Sequence, residues 1–416
     1  MRKKRDVHYG ERIFAKGEKI TNDTRETGLN NNDLIIGTSG TGKTGGYVIP
    51  ALQNADGSLV VSDTKGQLAR RFGKELEEKG YSIRVIDFVN PLRSDGYNPL
   101  SYIRRYENNE YNEQDVFTIS KILSPVEDKR NDPFWDQASS VYLSFLIAYC
   151  IETEKPENQN MMTVCGLKRQ FSQPDGDLLF LNWINGHKDG LAARKYYELQ
   201  SWRNAEKMWS SIEGVLSAHL APFDCRELKT LLSRENKLDI ESFGREKTVL
   251  FINQSDTNRV FDKIIILLHT QILQVLCAEA DENEDGRLKV PVRMILDDFA
   301  SGSTIPDFDK VISVIRSRDI SVNLIIQSIS QLNSLYNESM ALTIINNCDN
   351  LLFLGGQDLS TAEYIAYRAE RTPETILKMP RNKAYLLRSG EKGKMVDKIA
   401  PYSTLKEEKD EAAQIQ

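Results

Sequence analysis

Disulfide and metal-ligand signatures are what this sequence has least of. Its five cysteines, Cys150, Cys165, Cys225, Cys277 and Cys348, are odd in number, far apart and form no C-x-x-C pair. That excludes a disulfide scaffold and a zinc ribbon, and reduced, mostly buried thiols are expected. The four histidines, His8, His187, His219 and His269, are as scattered and show no metal-ligand spacing. Long apolar runs are missing too: Val141 to Ile151 and Ile264 to Leu268 fall short of the roughly 18 residues that cross a bilayer. The basic start Arg2-Lys3-Lys4-Arg5 runs into polar residues rather than an apolar segment, so it does not read as a signal peptide. Nor is there an excess of positive charge. Lys+Arg 54 against Asp+Glu 60 gives a net charge of -6, which excludes an extended open surface for nucleic acid but not a narrow basic channel. What remains is a cytoplasmic globular chain without a transmembrane segment, and 416 residues are enough for two or three domains.

From residue 34 to 100 short apolar runs alternate with turns and helical stretches, as in strand-helix-strand units. Leu34-Ile35-Ile36, Leu59-Val60-Val61 and Ile83-Arg84-Val85-Ile86 read as strands buried on both faces of a mostly parallel sheet. Lys65 to Lys79 carries Leu68, Phe72 and Leu76 at helical spacing and ends at Gly80. Residues 104–240 lose the strand pattern and hold all four tryptophans. Helices are expected there over Asp136 to Thr153, Met162 to Gln170, Leu178 to Trp202 and Ala205 to Leu220. Strands return at Thr248 to Ile252, Val292 to Leu296, Val322 to Ile326 and Leu351 to Leu354, with Ile264 to Ala280 as a crossover helix. The expected architecture is an α/β domain over 33–103 and 241–405, interrupted by an all-α domain over 104–240. A short N-terminal segment (1–32) and a polar, flexible tail (406–416) flank it.

One motif carries chemistry. Gly37-Thr38-Ser39-Gly40-Thr41-Gly42-Lys43-Thr44 matches G-x-x-x-x-G-K-[ST] and follows a predicted strand, as this phosphate loop requires. Glycines let successive N–H groups turn inward on a phosphate, Lys43 supplies a point charge, the Thr44 hydroxyl suits Mg²⁺, and the helix beginning here adds the positive end of its dipole. The pattern predicts ATP and Mg²⁺ as ligands. A second acidic strand end is then needed, and Met294-Ile295-Leu296-Asp297-Asp298 supplies it: Asp297 for Mg²⁺, Asp298 to orient or deprotonate the attacking water. Arg316 and Arg318 follow on a helix-like stretch, where an arginine from a neighbouring subunit would stabilise γ-phosphate charge; a surface salt bridge is the other reading. Gln327, directly after the strand Val322 to Ile326, is placed to sense that phosphate or to position water.

Around these motifs the chain resembles the TraG/TraD-like coupling ATPases of type IV secretion and conjugation, within the wider HerA/FtsK group of ring-forming motors. Leu59-Val60-Val61-Ser62-Asp63-Thr64-Lys65-Gly66-Gln67 is similar to that family's V-V-x-D-P-K-G-E segment. Tyr97-Asn98-Pro99-Leu100, Asp132-Pro133-Phe134-Trp135-Asp136, Leu296 to Ala300, Ile325-Ile326-Gln327-Ser328 and Leu354-Gly355-Gly356-Gln357-Asp358 look like further family segments. The resemblance implies a RecA-like nucleotide-binding domain, an all-α domain that contacts relaxase, relaxosome or secreted cargo, and a homohexamer with ATP sites between subunits. It implies ATP hydrolysis, stimulated by DNA, that moves single-stranded DNA, with type IV secretion machinery as partner at the cytoplasmic face of the membrane. By position it makes Lys43, Thr44, Asp297 and Asp298 the nucleotide and Mg²⁺ residues, Arg316 the finger acting in trans and Gln327 the sensor. Asp63 and Lys65 match residues lining the nucleotide or subunit interface. Three departures stand out: Thr64 where the family has Pro, Asp298 where it has Glu, and no pair of membrane helices ahead of the loop. An ATP-binding cargo adaptor with weak hydrolysis, and a DNA pump unrelated to conjugation, remain alternatives.

Overall fold

A computed structural model describes residues 9–126, 133–173, 175–234, 237–255, 257–299 and 304–399. The basic start and the polar tail singled out above lie outside them. Among the described residues there are eleven strands: β1 Glu11–Ala15, β2 Glu18–Thr21, β3 Asp33–Ile36, β4 Ser58–Asp63, β5 Ser82–Asp87, β6 Thr248–Asn253, β7 Val292–Leu296, β8 Ile320–Ile326, β9 Asn350–Phe353, β10 Lys383–Arg388 and β11 Lys394–Asp397. Strands β1 and β2 form a separate antiparallel hairpin. The rest make one nine-stranded sheet in the order β11-β10-β9-β3-β8-β7-β4-β6-β5. From β9 through β3, β8, β7 and β4 to β6 the pairings are parallel, and β10 and β11 add an antiparallel edge. Strands β3, β4, β7 and β8 are buried along their whole length, so each carries a short apolar run, and the polar residues beside or within it, among them Asp33, Arg293 and Asn323, are buried too.

The chain divides into two compact units. The first, 1–85, 239–254 and 274–416, contains the sheet. Alternate residues of its strands, among them Ile35, Val61, Phe251, Ile295, Ile325 and Leu352, form one apolar layer. Tyr47, Val48 and Leu52 pack on it from the helix after the phosphate loop, and Leu68, Phe72 and Leu76 from the helix Leu68–Glu78.

The second unit, 86–238 and 255–273, is helical. It takes in residues 86–103 and the first half of the helix Asp262–Glu282, which the sequence pattern assigned to the α/β domain. The reason lies in side chains: Gln271 accepts from the Tyr97 hydroxyl at 2.5 Å and donates to Pro99 O at 2.9 Å, while Phe88 and Phe261 pack ring to ring. Inside it, Tyr142, Phe145, Phe171, Phe180, Tyr196 and Trp209 form a core of tilted and edge-on rings. The expected helix over Leu178 to Trp202 is two, Gly176–Ile184 and Leu191–Arg203. His187 breaks it, stacking on Trp183 at 4.2 Å with its Nδ1 2.8 Å from Trp183 O. Gly190 then opens the next helix where a side chain would strike Glu152.

Two further points concern the longest apolar helix and the cysteines. The helix Asp262–Glu282 is long and apolar enough to cross a membrane by length and composition, but 67% of its apolar window is buried inside the protein. The run Ile264 to Leu268 looked short because His269, Thr270 and Gln271 interrupt it, yet all three are buried. The cysteines are free, but only Cys150 and Cys348 are fully buried, the other three being half-buried.

Candidate nucleotide site

Strand register builds the site. In the order β3, β8, β7, β4, β6, Ile36 pairs with Ile326, Leu296 with Leu324, Val61 with Ile295, and Asp63 with Asn253. Gly37, Gln327 and Asp297 directly follow β3, β8 and β7, and Asp63 ends β4, so all four come to the same edge of the sheet, at the carboxyl ends of parallel strands. Such an edge is where open α/β sheets bind ligands. Residues separated by up to 290 positions are thereby gathered into a row.

The loop that follows β3 is fixed at its start. Gly37 N donates to Ile326 O at 3.0 Å and Thr38 N to Gly355 O at 3.2 Å. Gly40 and Gly42 adopt φ of 79° and 95°, backbone that a side chain disfavours. At Gly37 an added Cβ would lie 2.4 Å from Thr41 Oγ1, so the motif's glycines are there for backbone shape and close approach. Lys43 Nζ donates to Gly37 O at 2.8 Å and to Thr38 O at 3.4 Å, curling the loop around its own ammonium. The chain then continues as a π-helical turn, Thr44–Val48, before the α-helix Ile49–Gln53. π-Turns of this kind are rare and cluster at functional sites.

Thr44 Oγ1 stands 3.5 Å from Asp297 Oδ2, across 253 residues of sequence. Asp298 N donates to Asp297 Oδ1 at 3.0 Å, and Asp298 itself sits at φ 52°. That left-handed region is tolerated by Asp far better than by longer side chains, which gives the departure from Glu a local cause. Burial, then the charge of Asp298, pushes the Asp297 carboxyl up to about 6. A carboxylate penalised in this way and facing a threonine hydroxyl fits a divalent cation. Among the described residues no cluster of three acidic or histidine ligands exists, and Mg²⁺ on a phosphate needs none, since phosphate oxygens and water complete its shell.

The raised Asp297 has a consequence for stability. The folded chain holds this proton more tightly than the unfolded one, so the group's contribution is greatest at acid pH and is lost as pH rises from about 4 through 6. Asp297→Asn is therefore expected to stabilise the nucleotide-free chain by on the order of 1 kcal/mol near neutrality and by almost nothing at about pH 4. Thermal melting at both pH values reads it; equal shifts at the two would contradict the assignment.

The remaining residues singled out in the sequence separate. Gln327 is exposed at the strand edge beside Gly37, with its backbone N donating to Gln331 Oε1 at 3.3 Å. Asp63 is spent locally: its carboxylate accepts from Gln67, Leu68 and Ala69 N at 3.1, 2.7 and 3.3 Å and caps the helix Leu68–Glu78. It is buried and held by its own chain. Lys65, in the turn it caps, is exposed. Arg316 lies at the other edge, before β8, where its Nη2 donates to Gly28 O at 2.6 Å. Arg318 takes the salt-bridge reading, pairing with Asp281 at 2.9 Å through both Nε and Nη2. At roughly 3.3 Å per residue the seven residues of β8 put about 23 Å between Arg316 and the phosphate-loop edge. Sequence reasoning missed Lys398, whose Nζ reaches the loop at Thr41 O, because no motif surrounds it.

Comparison with known proteins follows the same lines. Protein VirD4 of Rhizobium rhizogenes is 22% identical over 338 residues, 80% of this chain and 48% of the relative. Conjugal transfer protein TraG of Escherichia coli is 24% identical over 319 residues, 72% of this chain and 48% of the relative. The chain thus spans about half the length of the curated relatives it matches. Among solved structures, the plasmid coupling protein TrwB in complex with ADP and Mg²⁺ superimposes with a TM-score of 0.67 at 16% identity, over 95% of this chain and 89% of that one. The fold is accordingly the RecA-like phosphate-loop domain with a mostly parallel sheet that the sequence led us to expect. A family model described as type IV secretory system conjugative DNA transfer matches residues 2–369, and the chain belongs to that family.

Proposed function

We propose that this chain is the ATP-hydrolysing motor of a type IV coupling protein, which recruits a relaxase-DNA or protein substrate and drives DNA transfer in conjugation. What carries the reading is the closure of Thr44 onto Asp297 at the loop edge of the sheet in a chain of the conjugative DNA transfer family. The solved complex of TrwB with ADP and Mg²⁺ supports the same two ligands here. The loop amides and Lys43 bind and orient the β- and γ-phosphates, while Thr44 and Asp297 hold Mg²⁺. When bound, the ion supplies positive charge to the phosphate oxygens. Asp298 orients the attacking water and accepts its proton, and Gln327, beside Gly37, steadies that water or the γ-phosphate.

Arg316 belongs to another copy's site. It is exposed at the edge of the sheet opposite its own loop, so only a neighbouring subunit's nucleotide can receive it, and this supports a ring, a homohexamer by family likeness. Lys65 joins that interface. The partners in this reading are single-stranded DNA, relaxase and type IV secretion machinery at the cytoplasmic face of the membrane, with cargo met by the helical unit. A second reading, an ATP-binding cargo adaptor, is favoured by the short reach of Asp298. Phosphate release with and without single-stranded DNA separates the two: turnover that DNA accelerates supports the motor, and none above buffer in either case leaves the adaptor.

Asp298→Asn preserves the left-handed backbone and the donor to Asp297 but removes the base. It is expected to lower kcat about 100-fold, within the usual range for a general base, and to leave nucleotide affinity within about threefold. Loss of affinity in step with kcat would place Asp298 in binding instead.

A further inference from the structure

Beyond the motif, one cation reaches the phosphate loop from the far end of the chain. Lys398, directly after β11, donates from Nζ to Thr41 O at 3.2 Å and to Leu354 O at 2.6 Å, 357 residues separating it from the first. Its backbone N is held by Asn382 O at 2.9 Å, which fixes where the side chain starts. Among the described residues no carboxylate pairs with this ammonium, and burial holds its affinity for a proton below the ordinary lysine range. A half-buried lysine with carbonyls but no acid for partners is an expensive arrangement for structure alone. Its neighbourhood suggests the counter-charge. Thr41 lies between Gly40 and Gly42, both at positive φ, the part of the loop with least intrinsic restraint. Lys43 braces the other end, at Gly37 and Thr38.

We propose that Lys398 is a positioning residue of the phosphate loop, holding the Thr41–Gly42 peptide so that its N–H faces the nucleotide phosphates. Thr41 O and Gly42 N belong to one peptide unit. An ammonium on the oxygen fixes the plane of that unit and polarises it, making the N–H at the opposite end a stronger donor. The Leu354 carbonyl, at the end of β9, gives the same ammonium an anchor in the sheet, since Leu354 N is tied to Ile36 O at 2.7 Å. Lys398 acts on affinity through the loop's backbone and has no part in activating water. This rests on the nucleotide site proposed above.

Equilibrium binding of a fluorescent ATP analogue with Mg²⁺, together with steady-state hydrolysis, tests it. Lys398→Met is expected to raise Kd and the KM for ATP about tenfold, with kcat changed less than threefold. Lys398→Arg, which restores a cation on the same carbonyls, is expected to bind within about threefold of the parent chain. A Lys398→Met chain that melts like the parent and binds within twofold of it overturns the inference, as does a loss confined to kcat. Should the Met variant not fold, Lys398→Gln, which keeps a donor without the charge, is read in the same way. A parent chain that binds no nucleotide removes the nucleotide reading itself, whereas a parent that binds and is indifferent to Lys398 removes only this inference.

Discussion

ATP hydrolysis by the Lys43→Ala chain is expected to fall at least about 100-fold, into the range seen when one preorganised charge is removed from a transition state. The ammonium already sits inside the loop, on Gly37 O at 2.8 Å and Thr38 O at 3.4 Å, so it is positioned before any phosphate arrives. Little reorganisation is then needed when charge builds on the transferring phosphoryl group, and that is the condition under which such a group contributes most. Alanine removes the charge and also the strap that closes the loop, so binding and turnover should both suffer. Lys43→Arg should not rescue: a planar fork cannot replace a compact ammonium on two carbonyls within one tight loop. Phosphate release at saturating ATP measures it. Activity of Lys43→Ala within a few-fold of the parent would mean the hydrolysis comes from elsewhere.

Much of this site could be read before any fold was known, and the reason is local. A phosphate loop needs a strand, glycines, a lysine and a hydroxyl in consecutive positions, so Gly37 to Thr44 announces itself. The acidic strand end at Asp297 and Asp298 does so once a loop is present, because its apolar run and two acids are contiguous. Asp63 shows where local reading stops. Its pattern matches a functional segment, but its two oxygens are consumed by the amides of residues 67–69, which only geometry reveals. Gln327 was found from its strand alone, yet its place beside Gly37 follows from β3 lying between β8 and β9, a property of sheet order. Lys398 had no signal, being one lysine in an unremarkable strand end. Strands β10 and β11 were missed for a different reason: the apolar run 384–387 of β10 is too short for periodicity to tell strand from helix, and β11 buries a single residue, Val396. The break at His187 depends on a ring stacking over Trp183, and helical periodicity runs straight through it.

The largest expected loss of stability comes from a residue with no motif at all. Asp33, the first residue of β3, is 0% exposed, and Arg12 from the hairpin, 4% exposed, approaches its Oδ2 through Nε at 2.9 Å. Tyr47 OH donates to the same oxygen at 2.7 Å and Asn323 Nδ2 at 2.6 Å, while Asn350 Nδ2 donates to Oδ1 at 3.1 Å. Burial, then the charge of Asp33, pushes the Tyr47 phenol well above its usual range, so it remains a donor at any working pH. Asp33→Ala would strand the Arg12 guanidinium and three donors in the interior, and a broken buried pair of this kind costs about 3–5 kcal/mol. Replacing both partners by apolar residues, Arg12→Met with Asp33→Leu, should recover most of that, because the penalty belongs to the unpaired charge more than to the missing bond. Denaturant unfolding of the parent, Arg12→Met, Asp33→Leu and the double variant measures the coupling directly, and an Asp33→Ala chain as stable as the parent would contradict it. The loss should not stay in the core. Tyr47 lies in the π-turn that begins at Thr44, so its tether to Asp33 also sets the direction in which that turn leaves the phosphate loop. Tyr47→Phe keeps the ring and removes one donor, and is expected to cost only about 1–2 kcal/mol. If it nonetheless weakens nucleotide binding more than the far costlier change of an unrelated core residue does, the buried carboxylate is part of what aims Thr44 at Asp297.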